Sequence, residues 1–104
     1  MLLSNARFLL QRLRRSPPTP CEHLVEIRAV ERRSAGCEEC EKQKARWVHL
    51  RMCLTCGHVG CCDSSQGKHA TGHFKASGHP IMRSVEPGQS WLWCYVDERL
   101  IQAP

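Results

Sequence analysis

Aromatic residues are scarce in this chain: two Phe, one Tyr and three Trp among 104 residues. Hydrophobic residues reach 41% only when eight cysteines are counted with them. A core that thin supplies about 3–5 kcal/mol, so a domain of this size needs staples. No run approaches the roughly 20 consecutive apolar residues of a spanning helix, so no membrane span is expected. A secretory signal of ordinary form is not evident. Neither is a serine nucleophile motif, a phosphate-binding loop or a nucleophilic Cys–His–Asn pattern, which turns the reading away from the common hydrolase and nucleotide chemistries. Acid is missing from residues 1–20, which hold Arg7, Arg12, Arg14 and Arg15. The net charge of +5 is therefore mostly a property of the tail. Residues 21–104 hold eleven basic and ten acidic residues, a balance of +1. By composition that domain is no basic platform, and nucleic acid is not an expected partner.

Cysteine and histidine fill the space left by aromatics. Cys37-x-x-Cys40, Cys53-x-x-Cys56, Cys61, His69, His73 and His79 fall within 43 residues. A Cys-x-x-Cys turn sets two thiolates around one metal at about 2.3 Å each, the geometry of structural zinc. A disulfide framework is the rival reading, but it leaves the histidines unexplained. Structural zinc can contribute on the order of 10–16 kcal/mol per site in small peptides, and that binding energy is folding energy. Metal removal is therefore expected to abolish the fold. Thiolate ligands suit a reducing compartment, which makes the cytoplasm the expected location.

His69 and His73 stand four residues apart on one helix face, and spacing alone leaves open which joins which cysteine pair. A third candidate site combines Cys21-x-His23 with Cys94. Three ligands would leave an open position, as in catalytic zinc sites. Asp97 follows Cys94 as the second member of a Cys-x-x-Cys pair would, and a carboxylate is an acceptable zinc ligand at about 2.0–2.2 Å. The set then closes at twelve donors for three tetrahedral sites. Two zinc ions follow from the paired cysteines, and a third depends on Asp97. Cys62, His49 and His58 stay unassigned, with Cys62 reading most simply as a small buried residue.

The chain divides into an Arg-rich tail with a Pro-rich linker, 1–20, and a domain, 21–104. Leu2, Leu3, Ala6, Leu9, Leu10 and Leu13 make one helical stripe, broken by Ser16-Pro17-Pro18-Thr19-Pro20. Three readings of it stay open: a short exposed or partner-packed helix, a targeting or membrane-surface segment, and a true start further downstream. Alternation from Leu24 to Val30 predicts a half-buried strand. Residues 37–44 read as a polar knuckle and Arg46 to Met52 as a second strand. A turn at Gly57 leads into a short strand ending at Cys61. The best helix candidate is 66–77, with Asp63, Ser64 or Ser65 as cap and Gly78-His79-Pro80 as stop. Strands follow over Ile81 to Val85 and Ser90 to Val96. The expected fold class is α+β: a small zinc-stabilised domain with a twisted antiparallel sheet, one main helix, and a short N-terminal helix if the tail folds.

The order of these motifs carries a resemblance. Cys21-x-His23, Cys37-x-x-Cys40, Cys53-x-x-Cys56-Gly57, Cys61, His69-Ala70-x-x-His73, Gly78-His79-Pro80 and Trp93-Cys94-Tyr95 together resemble the UBP-type zinc finger. That is the ubiquitin-binding finger of deubiquitinating enzymes and of one cytoplasmic histone deacetylase. The run from Gly57 to Glu98 looks most like the small stand-alone bacterial members. A RING domain is disfavoured, because its Cys-x-His falls between the cysteine pairs rather than before them. The resemblance implies one zinc on Cys37, Cys40, Cys61 and His73, a second on Cys53, Cys56, His69 and His79, and a third involving Cys21, His23 and Cys94. It also implies a pocket that captures a free C-terminal Gly-Gly tail, with Trp93 and Tyr95 at two wall positions. Two pocket positions depart. Cys62-Asp63 stands where ubiquitin-binding members have Gly-Arg, and an acid repels a carboxylate. Arg51 stands where an aromatic is usual, and a guanidinium can stack on a peptide or pair with a carboxylate. A buried strand with alternating faces accounts for Trp91, Trp93 and Tyr95 equally well.

The functional expectation is a non-catalytic, zinc-scaffolded module that recognises an unknown protein or peptide tail, with ubiquitin a doubtful partner. Two alternatives belong to other classes. One is a zinc-dependent hydrolase with an open site at Cys21, His23 and Cys94 and Glu22, Asp97 or Glu98 as base. The other is nucleic-acid binding through the basic tail and Arg32-Arg33. The catalytic domain of a deubiquitinase finds no room in this length.

Overall fold

The computed structural model describes residues 20–102. The stripe at 2–13 and its expected N-terminal helix lie outside the described residues. Five strands form one antiparallel sheet: β1 (Leu50–Cys53), β2 (Val59–Cys61), β3 (Ile81–Ser84), β4 (Trp91–Cys94) and β5 (Arg99–Gln102), in spatial order β2-β1-β3-β4-β5. Two helices accompany it, α1 (Glu38–Gln43) and α2 (His69–Ser77), with a 3-10 helix at Glu22–Glu26. The architecture is the α+β class expected, with α2 as its main helix.

Register sorts the side chains onto two faces, since neighbours along a strand point to opposite sides. Met52 pairs with Val59 and Arg83, Arg83 with Leu92, and Ile81 with Cys94. Leu50, Met52, Val59, Cys61, Ile81, Leu92 and Cys94 therefore share one face, and all are buried. They form two small clusters, one closed by Cys37 and Cys40, the other by Cys21 and Leu24. Arg51, Met82, Trp91, Trp93 and Leu100 take the opposite face. There α2 packs over β2 and β1. Gly60 permits this approach: a Cβ on it would stand 2.6 Å from the Ala70 amide nitrogen.

Three expectations need correction. Leu24 to Val30 is not a strand: Glu22–Glu26 coils into a 3-10 helix, and Val25 is 75% exposed. In a strand, residues two apart stand about 6.6–6.8 Å from each other. The coil instead brings Cys21 Sγ within 3.7 Å of His23 Nδ1. The second strand begins at Leu50 rather than Arg46. The segment before it turns toward the loop after β2, where the Val48 amide donates to Ser65 Oγ and His49 accepts from the Cys62 amide. The main helix begins at His69, and its N-cap is Lys68 in a left-handed conformation, not Asp63, Ser64 or Ser65. A sulfur stands in for the missing cap, because the His69 amide donates to Cys61 Sγ at 3.3 Å. Two elements lay outside the expectation altogether, α1 and β5.

Candidate metal centres and an adjoining cleft

Three clusters of four donors form among the described residues, each with its ligand atoms within 4.8 Å of one another. The first holds Cys37, Cys40, Cys61 and His69. Cys37 is the N-cap of α1 and Cys40 lies within it, Cys61 comes from the end of β2 and His69 from the first turn of α2. The Cys37 sulfur caps α1 by accepting the Cys40 amide at 3.4 Å. Glu38, Glu39 and Glu41 lie in that first turn, where the helix dipole favours acids. His69 Nδ1 stands 3.3, 3.4 and 3.4 Å from the sulfurs of Cys37, Cys40 and Cys61. Cys40 and Cys61 sulfurs are 3.8 Å apart. A tetrahedral zinc with Zn–S near 2.3 Å and Zn–N near 2.05 Å requires edges of about 3.8 Å for S···S and about 3.6 Å for S···N. The cluster fits that ion within a few tenths of an ångström.

The second cluster holds Cys53, Cys56, His73 and His79. Cys56 Sγ lies 3.4 Å from His73 Nε2, and Cys53 Sγ lies 3.5 Å from His79 Nδ1. Burial, with His58 and His79 beside it, pulls His73 down to about 4. Its imidazole is thus neutral at physiological pH, the form that ligates metal. This division corrects the sharing implied by the resemblance, which gave His73 to the first set and His69 to the second. The reason is helix rise. Four residues carry the chain about 6 Å along the axis, so His69 reaches the β2 end of the sheet and His73 the turn after β1.

The third cluster holds Cys21, His23, Cys94 and Asp97. His23 Nδ1 stands 3.6 Å from Cys94 Sγ and 3.3 Å from Asp97 Oδ2. The Cys21 thiol donates to that same oxygen at 3.0 Å. This hydrogen bond, with His23 beside it, holds the Asp97 carboxyl below its ordinary range. Asp97 therefore occupies the fourth corner that Cys21, His23 and Cys94 alone would leave open.

Supporting hydrogen bonds surround the donors. Amides of Thr55 and Asp97 donate to the sulfurs of Cys53 and Cys94, and the Arg33 guanidinium to that of Cys56. His58 is buried, stacks on His73 at 4.1 Å between ring centroids, and meets Glu39 at 2.8 Å. That pair joins the first knuckle to the second cluster. The chain offers little sign of it beyond a histidine inside Gly57-His58-Val59-Gly60.

Because α2 covers only the β2–β1 part of its face, the rest of that face is open. A cleft of about 550 Å³ lies there, floored by Arg51, Met82, Trp91, Trp93 and Leu100 and walled by Thr71, Phe74, Tyr95, Asp63 and Glu98. Trp93, Tyr95 and Arg51, the three expected ligand-binding residues, thus share one cleft. Arg51 lies over the Trp91 ring at 4.6 Å, and Phe74 stacks on Tyr95 at 4.7 Å. Asp63 accepts from Thr71 Oγ1 at 2.6 Å. Cys62 also lines the cleft. Burial would raise its thiol, but the Ser65 hydroxyl and neighbouring amides outweigh that and bring it down to about 7.

Comparison with known proteins agrees with this construction. A family described as "Zn-finger in ubiquitin-hydrolases and other protein" matches residues 37–104. Ubiquitin carboxyl-terminal hydrolase 14 of Schizosaccharomyces pombe is 31% identical over 91 residues, covering 74% of this chain and 11% of that protein. Human ubiquitin carboxyl-terminal hydrolase 45 is 30% identical over 95 residues, covering 75% and 11%. The NAD-dependent deacetylase sir2A of Dictyostelium discoideum is 36% identical over 59 residues, covering 57% and 10%. The chain thus spans about a tenth of the length of these relatives. The solution NMR structure of a Rhodopseudomonas palustris protein matches with a TM-score of 0.73 and 52% identity, covering 83% of this chain and 89% of that one.

Proposed function

Since the chain belongs to the zinc-finger family of ubiquitin hydrolases and other proteins, we propose that it is a non-catalytic binding module whose cleft takes the extended C-terminal tail of a partner protein. Zinc supplies the scaffold: Cys37, Cys40, Cys61 and His69 hold one ion, Cys53, Cys56, His73 and His79 a second, and Cys21, His23, Cys94 and Asp97 a third. The folded module runs from residue 21 and works in a reducing compartment, where thiolates persist.

The observation that carries the binding role is the bare half of one sheet face. Met82, Trp91 and Trp93, each half-buried, and Leu100, 64% exposed, form an apolar floor that lies open beside α2. Aromatic walls suit a thin, extended backbone. Arg51 is the carboxylate partner. Its guanidinium lies over the Trp91 ring, and its Nη1 donates to the Leu50 carbonyl, which leaves the edge formed by the other nitrogens for an anion. Asp63 faces the same cleft and would repel a carboxylate placed beside it, so the tail's carboxylate belongs at the Arg51 end; because Asp63 stands where ubiquitin-binding members have an arginine, ubiquitin is not the ligand we favour.

A hydrolytic role has less support. Asp97 fills the fourth corner of the cluster that would have to stay open to water. The test is a panel of peptides with free or amidated C-termini, titrated against the zinc-loaded chain. Binding that needs the free carboxylate and weakens roughly tenfold in Arg51→Ala supports the proposal. Equal binding of free and amidated peptides, or no effect of Arg51→Ala, sinks it.

A further inference from the structure

The third cluster and the cleft are built on the two sides of one strand and its turn. Cys94 points into the cluster and Trp93, its neighbour on β4, into the cleft. Past the strand the chain turns: Tyr95 and Glu98 line the cleft, while Asp97 between them joins the cluster. Glu98 holds a left-handed conformation, φ 53°, immediately after Asp97. The Asp97 amide is tied to Cys94 Sγ. Position and backbone shape of this cleft wall therefore depend on what holds Cys94 and Asp97 together.

This cluster also differs from the other two in its donors and its setting. It alone includes a carboxylate, a harder donor than thiolate or imidazole for a borderline-soft ion. Cys21 and Cys94 are buried and His23 is half-buried, as are Cys56, His73 and His79 of the second set, but Asp97 is the one exposed donor among the three sets. Two of its donors come from the segment Cys21–Glu26, whose 3-10 helix buries none of its own residues. Cys21 and Leu24 pack on Ile81, Leu92 and Cys94, and Thr55 Oγ1 donates to the Glu26 carbonyl, so the metal adds to a modest set of contacts that hold the segment on the sheet.

We propose that the centre formed by Cys21, His23, Cys94 and Asp97 is an exchangeable metal site whose occupancy sets the wall of the cleft. The other two centres keep the fold. Ligand capture is thereby made dependent on available zinc. The proposal rests on reading the cleft as the ligand site, but its test needs no ligand.

The chain carries its own reporters. Trp93 and Trp91 lie in the cleft, while Trp47 packs against Gly36 beside the first cluster. The full zinc-loaded chain would be challenged with increasing EDTA. Native mass spectrometry would count zinc while NMR follows the three indole N–H resonances. The expected order is loss of one zinc first, with the Trp93 resonance shifting and Trp47 unchanged, followed by loss of the other two with unfolding. Asp97→Cys should hold the first zinc to roughly tenfold higher EDTA, and Asp97→Asn should give a folded two-zinc protein with the shifted Trp93 resonance. Simultaneous loss of all zinc, Trp47 shifting first, or a first loss that leaves Trp93 in place would overturn the proposal. Peptide binding measured separately on three-zinc protein tells whether the tail reading fails on its own.

Discussion

Asp97 shows how much a single side chain decides. With it, the third cluster has four donors; without it, Cys21, His23 and Cys94 face water. Asp97→Ala is expected to lower the zinc count by one while leaving the sheet folded, as read by native mass spectrometry and circular dichroism. His58 matters in another way. It is buried between His73 and Glu39, so His58→Ala leaves Glu39 without its partner and opens space beside the second cluster. The expected cost is about 1–3 kcal/mol, seen as a lower melting temperature at unchanged zinc content. Which residues gather into clusters was legible from spacing, because paired cysteines interspersed with histidines serve few ends besides metal binding. Pairing was not. His69 and His73 share a helix face, and only the placement of α2 against β2 separates their destinations. His58 was illegible because a buried histidine that backs a ligand has no spacing rule.

Elements were legible where hydrophobic alternation or a glycine stop marked them, as in β2, β3, β4 and the end of α2. α1 escaped because its six residues bury only Cys40. Its helicity comes from a sulfur cap and first-turn acids rather than from an apolar stripe. β5 escaped because its partner register, Trp93 with Leu100 and Leu92 with Ile101, is set by the turn at Asp97-Glu98 and not by any pattern inside Arg99–Gln102. Leu24 to Val30 misled in the opposite sense, since alternation there is overridden by the need to fold Cys21 and His23 onto one centre. The contact between α2 and the sheet gives a test at this scale. Gly60→Ala would press a methyl against Ala70, forcing the helix outward at about 1–3 kcal/mol. Because that helix carries His69 and His73, the first and second centres should release zinc at lower chelator concentrations, followed by a colorimetric zinc assay.

With zinc in the three centres, as proposed, the whole molecule would be held by metal more than by its apolar clusters, and its response to pH follows. Burial and the hydrogen bond with Asp97 push Cys21 up to about 11, and burial with Cys37 and Cys61 alongside pushes Cys40 up to about 12. Metal binds the thiolate, so loading at neutral pH expels a proton from each of these cysteines. Zinc affinity should therefore rise with pH through the neutral range, and the loaded fold should weaken on acidification. Melting temperatures of the loaded chain should fall steadily from about pH 8 to about pH 5. No helix among the described residues is long and apolar enough to cross a membrane. The central claim, three four-donor metal centres, is tested most directly by native mass spectrometry of the freshly purified chain, kept free of oxygen and without added reductant. Three bound zinc ions, with all eight cysteines as free thiols once the metal is removed in acid, are the expected result. A metal-free protein whose mass is lowered by paired cysteines would contradict the account.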